Sequence, residues 1–253
     1  MWTRELLKRN AKEIFKRNYW TCVGVSLVLA ALTGGGSSVI GRIGGNNTSV
    51  SYHHYGSDYY YGDSAIGFVI SMVVVAVTLI VILAAIAFTI FAGNVFKIGG
   101  CSFFIKNRTM TGTFGNLLDG FKSGHYGNVV KTMFFYDLYI ALWSLLLVVP
   151  GIIKSYEYRM VPYILAENPG MDSKQVFEIS KRMMNGQKMD TFILDLSFIP
   201  WSVLSAITAG IAGLFYVSPY KDATYAELYD TLAAGMPGNG QQVYEDENSG
   251  IYG

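Results

Sequence analysis

From Ser64 to Phe96 the chain has no Asp, Glu, Lys, Arg or His. As a helix, that stretch rises roughly 48 Å at 1.5 Å per residue, whereas the hydrocarbon core of a bilayer is about 30 Å thick. It is long enough for one crossing and too short for two crossings and a turn. The absence of charge excludes a solvated surface helix and implies an integral membrane protein. Cysteine is scarce as well: Cys22 and Cys101 lie in unrelated segments, which argues against a disulfide framework and leaves both as packing residues. The signatures of soluble enzymes are missing. No phosphate-cradling Gly-Lys loop, HExxH or CxxC occurs, and the only histidines are His53, His54 and His125. No catalytic residue, cofactor or metal site is therefore expected. The first residues, MWTRELLKRNAKEIFKRNYW, carry charge throughout and lack the apolar core of a cleavable signal peptide.

What is present agrees with a membrane location. Apolar residues make up 51% of the chain and charged ones 15%, with a mean hydropathy of +0.32. The formal net charge is +1, so the total does not point to nucleic acid, and no nucleic-acid partner is expected. The distribution of the charges says more. Along Trp2 to Tyr19 the apolar set Trp2, Leu6, Leu7, Ala11, Ile14, Phe15 and Tyr19 interleaves at helical spacing with charged residues. Arg4, Lys8, Arg9, Lys12, Lys16 and Arg17 outnumber Glu5 and Glu13, as in a helix lying on a leaflet of anionic lipids. The alternative is a surface helix packed on the rest of the protein.

Further apolar runs follow at Tyr19–Ile40, Met133–Val149 and Thr191–Val217. Short cytoplasmic loops collect Lys and Arg. Four crossings would leave Lys154, Arg159, Lys174, Lys181, Arg182 and Lys188 on the external side. That conflict disappears if Pro150-Gly151 is a tight outer turn and Ile152–Glu167 returns inward, and if Thr208-Ala209-Gly210 is a second such turn. The expected fold is an all-α polytopic transmembrane helical bundle with six crossings in three hairpins, four long crossings being the alternative. An amphipathic interfacial helix (residues 1–18) precedes the transmembrane domain (19–232), and a flexible acidic tail (233–253) follows it. Within the domain we expect an external Tyr/Gly-rich loop at 41–63, a cytoplasmic basic loop at 97–128 and a cytoplasmic helix at 172–186, capped by Asp172 and closed by Gly186. The expected location is a membrane, multi-pass, with a cytoplasmic N-terminus.

Charges inside these crossings are the chemistry to be explained. Asp137, Lys154, Glu157, Arg159, Asp195, Lys221 and Asp222 form a candidate intramembrane polar network. A lone charge at mid-membrane costs at least about 2.5–3.5 kcal/mol, so such groups face a bundle interior and find partners. Asp137 or Asp195 would pair with Arg159 or Lys221. The network is either a set of packing ion pairs or a polar path. Small residues four apart, such as Ala85/Thr89/Gly93 and Ala206/Gly210, allow close helix approach.

The opening ELLKRNAKEIFKRNYW, the block PGI…MVPYILAENP…S…M.NG.K, LSFIPW and the closing PY..AT.AELY (Pro219–Tyr229) together resemble the bacterial integral membrane family catalogued as domain of unknown function 975, over roughly residues 4–232. The block from PGI to NG is also distantly similar to the membrane domain attached to some glycerophosphodiester phosphodiesterases, a likeness that favours six crossings. The resemblance brings no catalytic residue. It brings no established activity either, and implies a location in the bacterial cytoplasmic membrane. The charges inside an otherwise apolar bundle and the basic cytoplasmic face point to a non-enzymatic membrane protein, either a small transporter or exporter or a membrane accessory protein. The alternatives are an interaction or immunity-type protein with a protein partner at the Tyr-rich external loop, and a membrane-embedded lipid enzyme. The expected partner is a bilayer with anionic lipids, and no oligomeric state is implied.

Overall fold

A computed structural model describes residues 2–32, 63–208 and 210–236, and among them every regular element is helical. In chain order these are α1 (Arg4–Arg17), α2 (Tyr19–Leu32), α3 (Asp63–Phe88), α4 (Asn94–Asn107), α5 (Asp119–Lys122), α6 (Tyr126–Leu146), α7 (Val148–Glu157), α8 (Val161–Glu167), α9 (Ser173–Met183), α10 (Lys188–Leu196), α11 (Ile199–Ile207) and α12 (Ser218–Ala234). Wider π-helical turns join α3 to α4 at Thr89–Gly93 and lead into α12 at Gly213–Val217. The Tyr-rich segment 41–62 and the tail beyond Met236 lie outside the described residues.

Three stretches are long and apolar enough to cross a membrane: Phe68–Asn107 (40 residues), Tyr126–Leu146 (21) and Lys188–Ile207 (20). The other three crossings expected from the sequence do not meet that description, each for its own reason. The described part of the first, α2, has 14 residues. The stretch 152–167 is interrupted at Tyr158–Met160, between α7 and α8. The stretch 211–232 turns into α12, whose buried face includes Glu227 beside apolar groups.

Burial divides the molecule into two zones. One is a packed core in which α12 is central, with Tyr220, Ala223, Tyr225, Ala226, Leu228 and Tyr229 all buried. Leu7, Ala11 and Phe15 of α1 pack into it, together with Val95, Ile98 and Phe103 of α4 and Met160, Val161 and Leu165 around α8. The other zone is an apolar surface. Side chains of α3 from Phe68 to Phe88 are exposed, as are the tips of the α6–α7 and α11–α12 hairpins, where Leu145 is 89% and Ile207 77% accessible. Contiguous exposure of this size needs a partner phase, since each large apolar side chain left in water forgoes about 1.5–3 kcal/mol.

Several sequence-based boundaries move. The apolar stripe of α1 is buried within the protein, with Phe15 at 1% exposure and its ring 5.6 Å from that of Tyr216. Lipid is therefore not what covers that face, and only the charged side of α1 is free. The expected basic loop 97–128 is half helix: α4 runs to Asn107, then Phe114–Leu118 forms a 3-10 turn ahead of α5. Gly99 does not loosen α4 but marks a close approach, because a Cβ there would fall 2.1 Å from the carbonyl oxygen of Leu117. The acidic tail begins later than expected, since α12 continues to Ala234. The 172–186 helix spans Ser173–Met183, with the Asp172 carboxylate accepting from the Lys174 amide at 3.0 Å and Gly186 at φ +75°.

The first expected turn is also displaced. Leu147, extended at φ −157° and ψ 138°, makes the break between α6 and α7, so Pro150 sits in the first turn of α7, where a missing N–H costs nothing. Gly151 is then where the two helices touch: a Cβ would lie 2.7 Å from Ser144 Cα and 2.9 Å from its amide nitrogen. The second turn falls where expected, with Gly210 at φ +92° and the Ile211 amide donating to the Thr208 carbonyl at 3.1 Å. We expect Gly151→Ala to lower hairpin stability by about 1–3 kcal/mol through overpacking. The control Gly127→Ala, where a Cβ meets nothing within 4 Å, should be neutral or mildly stabilising. Thermal unfolding midpoints in detergent check this, and equal shifts for both variants would contradict the close contact.

Candidate functional site

The boundary between the packed core and the apolar surface is where the charges collect. Asp195, at the end of α10, is the centre of one group. Its carboxylate lies 2.9 Å from Arg159 Nη2 and 3.1 Å from Lys221 Nζ, and it accepts the Tyr156 hydroxyl at 2.8 Å and the Tyr225 hydroxyl. Arg159 Nη2 also donates to Tyr225 Oη. The guanidinium lies 4.9 Å from the Tyr156 ring centroid and 4.4 Å from that of Tyr225. Both distances are within cation–π range. One carboxylate thus ties the α7–α8 break to α10 and α12.

Glu157 forms the second group, between Lys154 Nζ at 2.8 Å and Lys188 Nζ at 2.6 Å. Glu157 is 4% exposed, and its backbone carbonyl accepts the Ser180 hydroxyl at 2.9 Å, which fastens α9 to α7. The remaining members of the expected network stand apart. Asp137 accepts from Asn94 Nδ2 at 2.6 Å, joining α6 to α4, and Asp222 accepts from Ser26 Oγ at 2.9 Å, joining α12 to α2. The structure therefore brings Arg159, Asp195 and Lys221 together as the sequence reading expects for Asp195. Lys154 and Glu157 form a separate pair, and Asp137 has an amide partner instead of a cation.

A cavity of about 280 Å³ lies beside the Asp195 group. Its walls include Lys97, Arg159, Asp222, Tyr136, Tyr163 and Tyr225, with Ser155, Cys101 and apolar Leu29, Phe104 and Pro162. Lys97 Nζ sits 5.0 Å from the Tyr136 ring centroid, and no carboxylate lies within ion-pair distance of it among the described residues. Sequence reasoning missed Lys97 because it assigned that residue to a loop. In a helix, Lys97, Cys101 and Phe104 share one face, and continuing α3 through the π turn is what would have found them. Tyr156, Tyr225, Lys188, Asn94 and Ser26 were missed for a different reason: their roles arise from contacts between elements far apart in the chain.

Of the basic set on α1, Arg4, Arg9, Lys12, Lys16 and Arg17 are exposed. Lys8 is engaged, donating to the Ser197 carbonyl at 3.2 Å with its ammonium 4.2 Å from the Phe198 ring centroid. Burial and nearby Arg4 lower its pKa from the usual lysine value. At the other end of the core, Arg108 bridges Glu227 at 2.6 Å and Asp230, and the Tyr229 hydroxyl donates to Glu167 at 2.7 Å. Asp119 accepts from Ser102 Oγ at 2.6 Å, Lys106 Nζ at 2.7 Å and Asn116 Nδ2 at 2.8 Å. Partial burial would raise its pKa, but these three donors outweigh it and hold the carboxyl below its ordinary value.

The match to known proteins is one of family only. A family model described as a protein of unknown function (DUF975) matches residues 65–235, and the chain belongs to that family. No curated protein and no solved structure matches the chain.

Asp195→Asn leaves Arg159 and Lys221 without their anion, and we expect a loss of about 2 kcal/mol in this partly exposed setting. Asp137→Asn should cost less, because a carboxamide oxygen still accepts from Asn94. Unfolding midpoints of the two variants in detergent test the ranking. For Asp119, whose folded pKa is depressed, the stabilising contribution is present at neutral pH. It is lost as pH falls from about 4, the unfolded value, through the lower folded value. Asp119→Asn should therefore be less stable than the parent at pH 7 and converge with it in strong acid; a constant difference across the titration would contradict this.

Proposed function

We propose that this member of the DUF975 family is a non-enzymatic accessory protein of the bacterial cytoplasmic membrane, anchored by a full crossing of α3 and an opposite pass that begins in α2, and inserting two shorter hairpins into the cytoplasmic leaflet. What carries the reading is how little hairpin lies beyond the last charged helix. The Phe177 ring of α9 packs 5.4 Å from Tyr139 and 5.1 Å from Tyr158, while Lys174, Glu178, Lys181 and Arg182 on the same helix are exposed. From Tyr139 to Leu146 the chain rises only about 11 Å. On the other hairpin, Lys8 reaches Ser197 and Phe15 meets Tyr216, with Arg9, Lys12, Lys16 and Arg17 exposed alongside. Beyond that level α11 adds about 14 Å. A hydrocarbon core is about 30 Å thick, so each tip reaches one leaflet deep. Phe68–Asn107, at about 60 Å, has length for a full crossing with its lower part in the packed core.

This topology keeps the N-terminus, the segment 97–128, α9 and α12 on one aqueous face, where basic residues favour the cytoplasm and anionic lipid. The pairing of the charges supports an accessory role over transport or catalysis. Asp195, Glu157, Asp137 and Asp222 each already accept from a protein donor. Asp195 and Lys221 pair with each other, and of Asp137, Arg159, Asp195 and Lys221 only Arg159 lines the cavity. Hairpins that fill one leaflet more than the other favour bilayer curvature, which gives such a protein a physical action on the membrane without a reaction.

Labelling single cysteines with a membrane-impermeant maleimide tests the topology, in a chain with Cys22 and Cys101 replaced by Ala. Cysteine at Val149 or Ile207 should be unreactive from both sides, and cysteine at Lys174 reactive from the cytoplasmic side. Labelling of the Val149 and Ile207 positions from the outside would establish six full crossings and end the one-leaflet reading.

A further inference from the structure

The cavity beside Arg159 has the chemistry of an anion site whose ligand carries an apolar tail. We propose that it receives the phosphate-bearing headgroup of an anionic phospholipid from the cytoplasmic leaflet, its acyl chains lying along the exposed apolar faces above. The proposal rests on the one-leaflet placement of the α6–α7 hairpin, and its test reads ligand binding independently of topology.

Two cations line the cavity, and they differ in how far they are already satisfied. Lys97 has no carboxylate partner among the described residues and presents three donors. Arg159 meets Asp195 and Tyr225 through Nη2, which leaves other N–H groups of its five for a second acceptor. The lining residues include a single carboxylate, Asp222, which accepts from Ser26 Oγ at 2.9 Å. The balance of Lys97, Arg159 and Asp222 is positive, and the hydroxyls of Tyr136 and Tyr163 line the cavity as neutral polar groups of the kind phosphate oxygens accept from, those of Tyr225 and Ser155 being already given to Asp195 and to the Ile152 carbonyl.

Size and placement narrow the ligand. About 280 Å³ is at the small end of ligand sites, enough for a headgroup and too little for a whole lipid. The elements that line the cavity bear exposed apolar residues within about one to three helical turns of it. Ile152 precedes Ser155 on α7, Leu138 and Leu142 follow Tyr136 on α6, and Phe88 and Phe91 precede Lys97. A soluble anion has no use for these surfaces, whereas acyl chains continuing from a bound headgroup do. A phosphate paired with two cations at the rim of hydrocarbon gains more from each hydrogen bond than it does in bulk water.

The full-length protein, purified in detergent and equilibrated with dioleoyl phosphatidylglycerol or dioleoyl phosphatidylcholine, gives the test by native mass spectrometry of retained lipid. Wild type should hold one phosphatidylglycerol and at least tenfold less phosphatidylcholine. Lys97→Met should reduce phosphatidylglycerol retention about tenfold, Lys97→Arg should restore most of it, and Lys131→Met at an exposed position of α6 should leave it unchanged. Thermal midpoints measured in parallel separate lost binding from lost folding. Equal retention of the two lipids, or full retention by a folded Lys97→Met variant, would overturn the proposal. Displacement of the bound lipid by millimolar inorganic phosphate would assign the site to a free anion instead.

Discussion

Much of this structure hangs on a single carboxylate. Asp195 closes α10 and receives donors from Tyr156 and Arg159 at the α7–α8 break and from Lys221 and Tyr225 on α12. The partners come in two pairs from two other limbs, and the charged ones would be costly alone. A guanidinium and an ammonium at the edge of an apolar layer need an anion, and an anion there needs donors for its remaining lone pairs. The group satisfies all of these at once, with the Tyr156 and Tyr225 rings within cation–π distance of Arg159. It sets the depth at which the two later hairpins leave the packed core, and so fixes how much of each is left for an apolar surroundings.

The two π-helical turns sit at the same kind of boundary. A π turn leaves a backbone carbonyl without its usual partner. Within the two turns the Phe91 carbonyl accepts the Tyr126 hydroxyl at 2.7 Å and the Phe215 carbonyl accepts the Tyr19 hydroxyl at 3.1 Å. Tyrosine suits this role because its ring lies against apolar neighbours while its hydroxyl reaches the backbone. The repetition at two unrelated places suggests a shared requirement: the chain re-phases its side chains where a helix passes from apolar surroundings into the protein core. Below the π turn, α4 presents Val95, Ile98 and Phe103 inward; above it, α3 presents apolar side chains all round.

The sequence makes the helical class, the apolar spans and the identity of the charged residues readable, because hydropathy and charge are local properties. Asp195 could be matched with Arg159 and Lys221 by sign alone. Asp137 could not be placed in the same way, since its partner is the neutral Asn94, and nothing in the pattern distinguishes a carboxylate awaiting a cation from one held by an amide. The amphipathicity of α1 was visible, but the same stripe fits lipid or protein, and only the contact of Phe15 with Tyr216 decides between them. Gly99-Gly100 read as loop because glycine is a poor helix former, whereas here it marks close packing of α4.

The expectation of six crossings shows where local reading stops. Charge bias constrains which side a segment returns to, and it is satisfied equally by a hairpin that crosses fully and by one that turns back within a leaflet. Hairpin depth depends on where charged neighbours pack against it, which is a tertiary fact. Phe177 of α9 and Lys8 of α1 mark that level on the two hairpins, one by ring contacts and the other by a bond to the Ser197 carbonyl. Both marks fall beside the breaks in the helices, at Tyr158 and at Ser197–Phe198, where main-chain direction changes. On the proposed topology, each break is the point at which a hairpin limb leaves the aqueous side, and the charged groups cluster there because water and headgroups remain within reach of their exposed edges.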